Sequence, residues 1–117
     1  MKSNILVTGG LGYIGSHTVV KLIENGYNPI IIDNLSNSNL GVLYAIEKLT
    51  QTKPLFYKSD VRNKIGVSDL LRDHNVSDVI HFAALKSVSD SINKPLEYYD
   101  NNLNGTVSLL TAICTLY

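Results

Sequence analysis

"TGGLGYIGSH", Thr8 to His17, decides how the rest of the chain folds. Before it, "NILVT" (Asn4 to Thr8) is a short apolar run that reads as a buried strand. After it, Ile14, Val19, Leu22 and Ile23 recur at the spacing of one helix face, and Gly26 ends the segment. Gly9, Gly12 and Gly15 therefore fall between a strand and a helix, in the spacing G-x-x-G-x-x-G. Glycines there permit a tight turn and let backbone come close to a pyrophosphate. The helix N-terminus adds free N–H groups and the positive end of its dipole. A glycine pattern alone is weak, because glycines also make ordinary turns.

The downstream sequence supplies the context. "PIIID" (Pro29 to Asp33) is a continuous apolar run, the mark of a strand covered on both faces. "NLGVLYAIEKL" (Asn39 to Leu49) places Val42, Ile46 and Leu49 on one helical stripe with Leu43 beside it. "LFYKSD" (Leu55 to Asp60) reads as a third strand. "VSDLLRDH" reads as a third helix, with Ser68 as a cap. Asp78 to Phe82 reads as a fourth strand, and the tail from Pro95 to Tyr117 as helix. Strands alternating with helices imply right-handed crossovers and an α/β fold: a Rossmann-like, doubly wound parallel sheet. Four strands in the order 3-2-1-4 are expected, an incomplete version of that fold, with the fourth strand at an edge.

In such sheets ligands gather at the carboxyl ends of the strands. Asp33 ends the second strand, roughly twenty residues beyond the glycines, where a ribose-binding carboxylate belongs. A carboxylate there accepts from ribose hydroxyls and repels a 2′-phosphate, which favours NAD over NADP. Asp60 ends the third strand, where it could accept from an adenine amino group. Ala83 and Ala84 follow the fourth strand and are small enough for close passage of a cofactor, and Lys86 could reach a phosphate or ribose. His81, inside an apolar strand, reads as a hydrogen-bonded core histidine. His17 and His74 read as exposed helix residues. The three histidines do not cluster with carboxylates, so no metal site is expected.

The totals narrow the rest. The chain has 117 residues, 44% of them hydrophobic, with 10 basic and 10 acidic side chains. A zero formal charge points to neither nucleic acid nor an anionic membrane. One cysteine, Cys114, excludes an internal disulfide. No apolar stretch approaches the ~20 residues of a membrane span, and no secretory signal starts the chain. A cytoplasmic protein is expected.

The combination of "LVTGGLGYIGSHT", "DNLSNS", "SDVRN", "VIHFAALKSV" and "KPLEYYDNNLNGT" resembles the UDP-glucose 4-epimerase family, part of the extended short-chain dehydrogenase/reductases. The resemblance runs along essentially the whole chain. It implies NAD as cofactor, with Gly9, Gly12, Tyr13 and Ile14 along the pyrophosphate. Asp33 and Asn34 would hold the adenosine ribose, with Ser36, Asn37 and Ser38 at the same end and Asp60 and Val61 beside adenine. Phe82, Ala83, Ala84 and Lys86 would line the ribose and phosphate path, and Asn101 would approach from the following helix. Lys86 and Tyr99 resemble positions near a UDP-sugar, the family's substrate.

In that family a tyrosine base removes the C4 hydroxyl proton while hydride passes to NAD. A lysine four residues after the tyrosine tunes it, and an upstream serine or threonine shares the proton. Those groups follow strands five and six. "YAIEK" holds Tyr44 and Lys48 at the right mutual spacing, but on the helix between strands two and three. Helical spacing alone accounts for that pair, so no catalytic residue is assigned. The expectation is an N-terminal part of an NAD-binding domain, residues 1–117, without the substrate domain and inactive alone. Its open sheet edge would be a site of self-association. A stand-alone dinucleotide-binding module and the start of a related sugar-nucleotide dehydratase or dehydrogenase are the alternatives.

Overall fold

The computed structural model describes residues 2–85 and 88–117. Strands β1 (Asn4–Thr8), β2 (Asn28–Asp33), β3 (Leu55–Lys58) and β4 (Asp78–His81) form one parallel sheet in the order β3-β2-β1-β4. Helices α1 (Tyr13–Glu24), α2 (Leu40–Thr50) and α3 (Lys64–Asp73) connect them. After β4 come α4 (Val88–Asn93), α5 (Pro95–Tyr98), a π-helical turn (Tyr99–Asn104) and α6 (Gly105–Leu116). The fold class and strand order are those expected from the sequence.

Strand residues alternate between faces, and the two cores show it. Ile5, Val7 and Ile31 pack under α1 and α2 with Val19, Leu43 and Ile46. Leu6, Ile30 and Ile32 pack under α3 and α6 with Val67, Leu71, Leu109 and Ala112. The unbroken apolar run of β2 is thus explained: each face of the sheet carries its own helix layer.

Several local expectations need correction. Leu49 is 75% exposed; the buried positions of α2 are Leu43 and Ile46, so the stripe lies one position round the helix. Ile14 is also exposed, because the buried side of α1 is set by Gly15 and Val19. α3 begins three residues before Val67 and is capped not by Ser68 but by Asn63, whose side chain accepts from Gly66 N–H. β3 stops at Lys58 because its partner β2 ends at Asp33, and β4 stops at His81 opposite the last residue of β1. His74 is half-buried, its Nε2 2.8 Å from the Tyr57 hydroxyl.

Ser108 points from α6 into the buried layer, and its Oγ has no hydrogen-bond partner among the described residues. A buried hydroxyl without a partner costs its desolvation. Ser108→Ala is therefore expected to stabilise the fold by about 1 kcal/mol, read as a higher urea midpoint at unchanged slope. A lower midpoint would show that the hydroxyl is satisfied.

Candidate functional site

The carboxyl ends of β1, β2, β3 and β4 open into one cleft of about 650 Å³. Its floor is the glycine turn. Gly9 has a left-handed backbone (φ 67°), and a Cβ on it would lie 2.8 Å from the Ala83 nitrogen. A Cβ on Gly15 would lie 2.1 Å from the Gly9 carbonyl oxygen. These two positions admit only glycine, because the obstacle in each is backbone. The turn brings Gly12, Tyr13 and Ile14 to the cleft at the start of α1, whose N-cap residue Gly12 supplies no side-chain bond. The first-turn N–H groups stay available to an anion.

Asp33 stands beside this turn and is only 8% exposed. Its Oδ2 accepts from Leu11 N–H at 3.1 Å; its Oδ1 accepts from Leu35 N–H at 2.9 Å and the Ser38 hydroxyl at 2.8 Å. A carboxylate offers about four acceptor positions, so Oδ2 retains capacity for a hydroxyl in the cleft. Leu35 sits at φ 62°, a conformation unfavourable for a side-chain-bearing residue, and its bond to Asp33 helps hold it there. Asn34, Ser36, Asn37 and Ser38 line the same end.

Asp60 and Val61 close the next wall. The Asp60 carboxylate accepts from Arg62 Nη2 at 2.7 Å, Arg62 Nε and N–H at 2.9 Å each, and Asn34 Nδ2 at 3.2 Å. Arg62 also pairs with Asp100 on the π-helical turn, tying the two walls together. With four donors already present, any further donor in the cleft must share an oxygen or displace the longest contact, that from Asn34. The Arg62 side-chain hydrogen bond, more than any other contact, holds the Asp60 carboxyl at about 2, well below the usual carboxylate range.

Because the folded-state value is depressed, the Arg62–Asp60 pair stabilises the fold above about pH 4, the ordinary Asp range. That contribution fades as pH falls toward about 2. Both partners are partly exposed, so it stays within about 1 kcal/mol. Arg62→Ala should return Asp60 to about 4 in an NMR titration. An unchanged Asp60 would show that Arg62 is not the cause.

Phe82, Ala83 and Ala84 form the third wall, and Asn101 reaches the cleft from the helical segment opposite. Gly9, Gly12, Tyr13, Ile14, Asp33, Asn34, Ser36, Asn37, Ser38, Asp60 and Val61 line the same cleft as these; Lys86 lies outside the described residues. Tyr99 is exposed and does not line it. Tyr44 is 60% exposed on α2, and neither it nor Lys48 faces the cleft.

Asp90, Lys94, Glu97 and Tyr98 line the cleft without having been singled out. For Glu97 and Tyr98 a signal was present, since they lie four and three positions before Asn101 on the expected helix; Asp90 and Lys94 precede Pro95, across the break at Lys94, and carried none. His81 is held by hydrogen bonds, as expected of a core histidine: Nδ1 lies 2.6 Å from Thr8 Oγ1 and Nε2 3.3 Å from Thr106 Oγ1. Among the described residues no group of three or more His, Cys, Asp or Glu converges as metal ligands would, and no helix is long and apolar enough to cross a membrane.

Comparison with known proteins agrees with this geometry. The family model described as GDP-mannose 4,6 dehydratase matches residues 6–117. A UDP-glucose 4-epimerase of Klebsiella pneumoniae is 50% identical over 109 residues, covering 93% of this chain and 78% of that one. The Yersinia pestis UDP-glucose 4-epimerase is 52% identical over 109 residues, but the chain spans only 32% of its length. The Stenotrophomonas maltophila UDP-glucose-4-epimerase, whose crystal structure contains NAD and formylated UDP-arabinopyranose, superimposes with a TM-score of 0.94 at 44% identity. That match covers 95% of this chain and 33% of the other. The Bifidobacterium longum enzyme, in complex with NAD+ and UDP, gives 0.93 at 41% identity, covering 97% and 34%. This chain belongs to the family described as GDP-mannose 4,6 dehydratase, and within it to the UDP-glucose 4-epimerases.

Proposed function

We propose that the cleft binds NAD as the N-terminal part of an epimerase-type cofactor domain, contributing to interconversion of UDP-glucose and UDP-galactose. The adenosine ribose lies against Asp33, with Asn34, Ser36, Asn37 and Ser38 around it. Adenine lies between that loop and Asp60–Val61. The pyrophosphate crosses Gly9, Gly12, Tyr13 and Ile14, and the remaining ribose passes Phe82, Ala83, Ala84 and Asn101. When bound, NAD supplies a reversible hydride acceptor; the residues here bind and orient it. The observation that carries this reading is the Asp33 carboxylate, fixed to the glycine turn through Leu11 N–H with an oxygen still able to accept. A buried carboxylate at that place accepts a ribose hydroxyl and repels a 2′-phosphate.

Calorimetric titration of the chain with NAD and with NADP tests the reading. Saturable one-to-one binding of NAD, at least tenfold tighter than NADP, is the expected result. No binding of either, or a preference for NADP, overturns it.

The family relation extends the proposal to a UDP-sugar as substrate of the larger protein. The open edge of β4, paired only with β1 among the described residues, supports the further proposal that a second copy or further chain adds there.

A further inference from the structure

The wall Phe82–Leu85 is irregular backbone beyond the end of β4, joined to β1 at its start by the Phe82 N–H, which donates to the Thr8 carbonyl at 2.9 Å. Side chains tie both its ends. At its start, the buried Thr8 hydroxyl oxygen accepts from Phe82 N–H at 3.1 Å and Ala83 N–H at 3.2 Å. The same hydroxyl lies 2.6 Å from His81 Nδ1, whose Nε2 is 3.3 Å from Thr106 Oγ1. Thr106 in turn donates to the Asn102 carbonyl at 2.8 Å.

At the far end, the Asn102 side chain engages both polar groups of Leu85. Its Oδ1 accepts from Leu85 N–H at 2.8 Å, and its Nδ2 donates to the Leu85 carbonyl at 2.9 Å. The amide replaces the strand neighbour this peptide lacks. The π-helical turn Tyr99–Asn104 makes the arrangement possible. Its wider turn rotates consecutive residues by less than the roughly 100° of an α-helix. Asn101 can therefore line the cleft while Asn102, its neighbour, reaches Leu85.

Resting on the reading of the cleft as an NAD site, we propose that Asn102 is a positioning residue for it. Clamped on both polar groups of Leu85, its amide fixes the Phe82–Leu85 wall at the separation from the glycine turn that the cofactor requires. It acts through the loop and touches no ligand itself.

The test uses the full chain, with Leu85 amide exchange read by NMR in the absence of NAD and NAD affinity read by calorimetry. In Asn102→Ala, Leu85 exchange should accelerate about tenfold and NAD affinity should fall about tenfold, the effect of losing one to two ordinary hydrogen bonds. Exchange at Leu6 and Ile31 in the sheet should not change. Asn102→Asp keeps the acceptor for Leu85 N–H but turns a second acceptor toward the Leu85 carbonyl, so NAD affinity should stay reduced as in Asn102→Ala. Faster Leu85 exchange with unaltered NAD affinity overturns the positioning role. So does an equal acceleration at Leu6 and Ile31, which marks a general scaffold residue, or an Asn102→Asp chain with wild-type NAD affinity. A wild-type chain that binds no NAD, with Leu85 exchange still responding to Asn102, overturns the functional reading instead and this proposal with it.

Discussion

Gly15→Ala is expected to abolish NAD binding and to cost the fold 3 kcal/mol or more, roughly the upper end of overpacking penalties. The added Cβ would sit 2.1 Å from the Gly9 carbonyl oxygen and 3.0 Å from Gly10 Cα. Neither obstacle is a side chain that can turn away. The Gly9 carbonyl also accepts from Gly12 N–H at 3.1 Å, so moving it breaks the turn. The alternative is for α1 to lift from the sheet and lose the packing of Val19 beneath it. Against a total stability of about 5–15 kcal/mol for a typical domain, that loss is large.

Gly26→Ala is the matched control. Gly26 has φ 84° but open space around its Cβ position, so only the backbone penalty of about 1–2 kcal/mol applies. Thermal or urea unfolding should rank Gly15→Ala well below Gly26→Ala. Equal losses would show that the turn yields and that close approach is not what demands glycine there.

Asp33→Ala carries the second large effect, on binding more than on folding. Removing the carboxylate strands the buried Leu11 N–H and releases Leu35 and Ser38 from their shared acceptor. An orphaned buried donor costs about 1–3 kcal/mol of stability. Loss of a charge-assisted bond to a ribose hydroxyl adds a similar amount to binding, so NAD affinity should fall about 10- to 100-fold. NADP binding should weaken less, because the variant also removes a repulsion from the 2′-phosphate. Asp33→Asn keeps one acceptor oxygen without the charge and should fall between the two in its NAD-to-NADP ratio. Equal weakening of both dinucleotides would refute the carboxylate as the source of selectivity.

These two residues were legible in the sequence because their chemistry fixes both residue type and offset. A turn that presses backbone on backbone needs glycine, and Asp33 ends the neighbouring strand beside that turn. The strand order was legible for a similar reason: buried apolar runs alternating with helical periodicity leave few parallel topologies. Finer matters depended on contacts between distant residues. Asn102 reads as a surface amide on a helix until the fold brings Leu85 to it. Thr8 reads as the end of a strand, yet its hydroxyl organises residues more than seventy positions away. The exposure of Ile14 and Leu49 was missed because a helical stripe of aliphatic residues does not say which side neighbouring helices will cover. "YAIEK" shows the reverse error avoided: a spacing that resembles catalytic chemistry, on a helix that faces away from the cleft.

The most direct test of the account is a backbone-amide NMR titration of the chain with NAD. Saturable shifts should concentrate at Gly9, Gly12, Ile14, Asn34, Val61, Ala83 and Asn101, which converge only in the folded cleft, and should spare Tyr44 and Lys48 on α2. Shifts centred on α2, or none at saturating NAD, would contradict it.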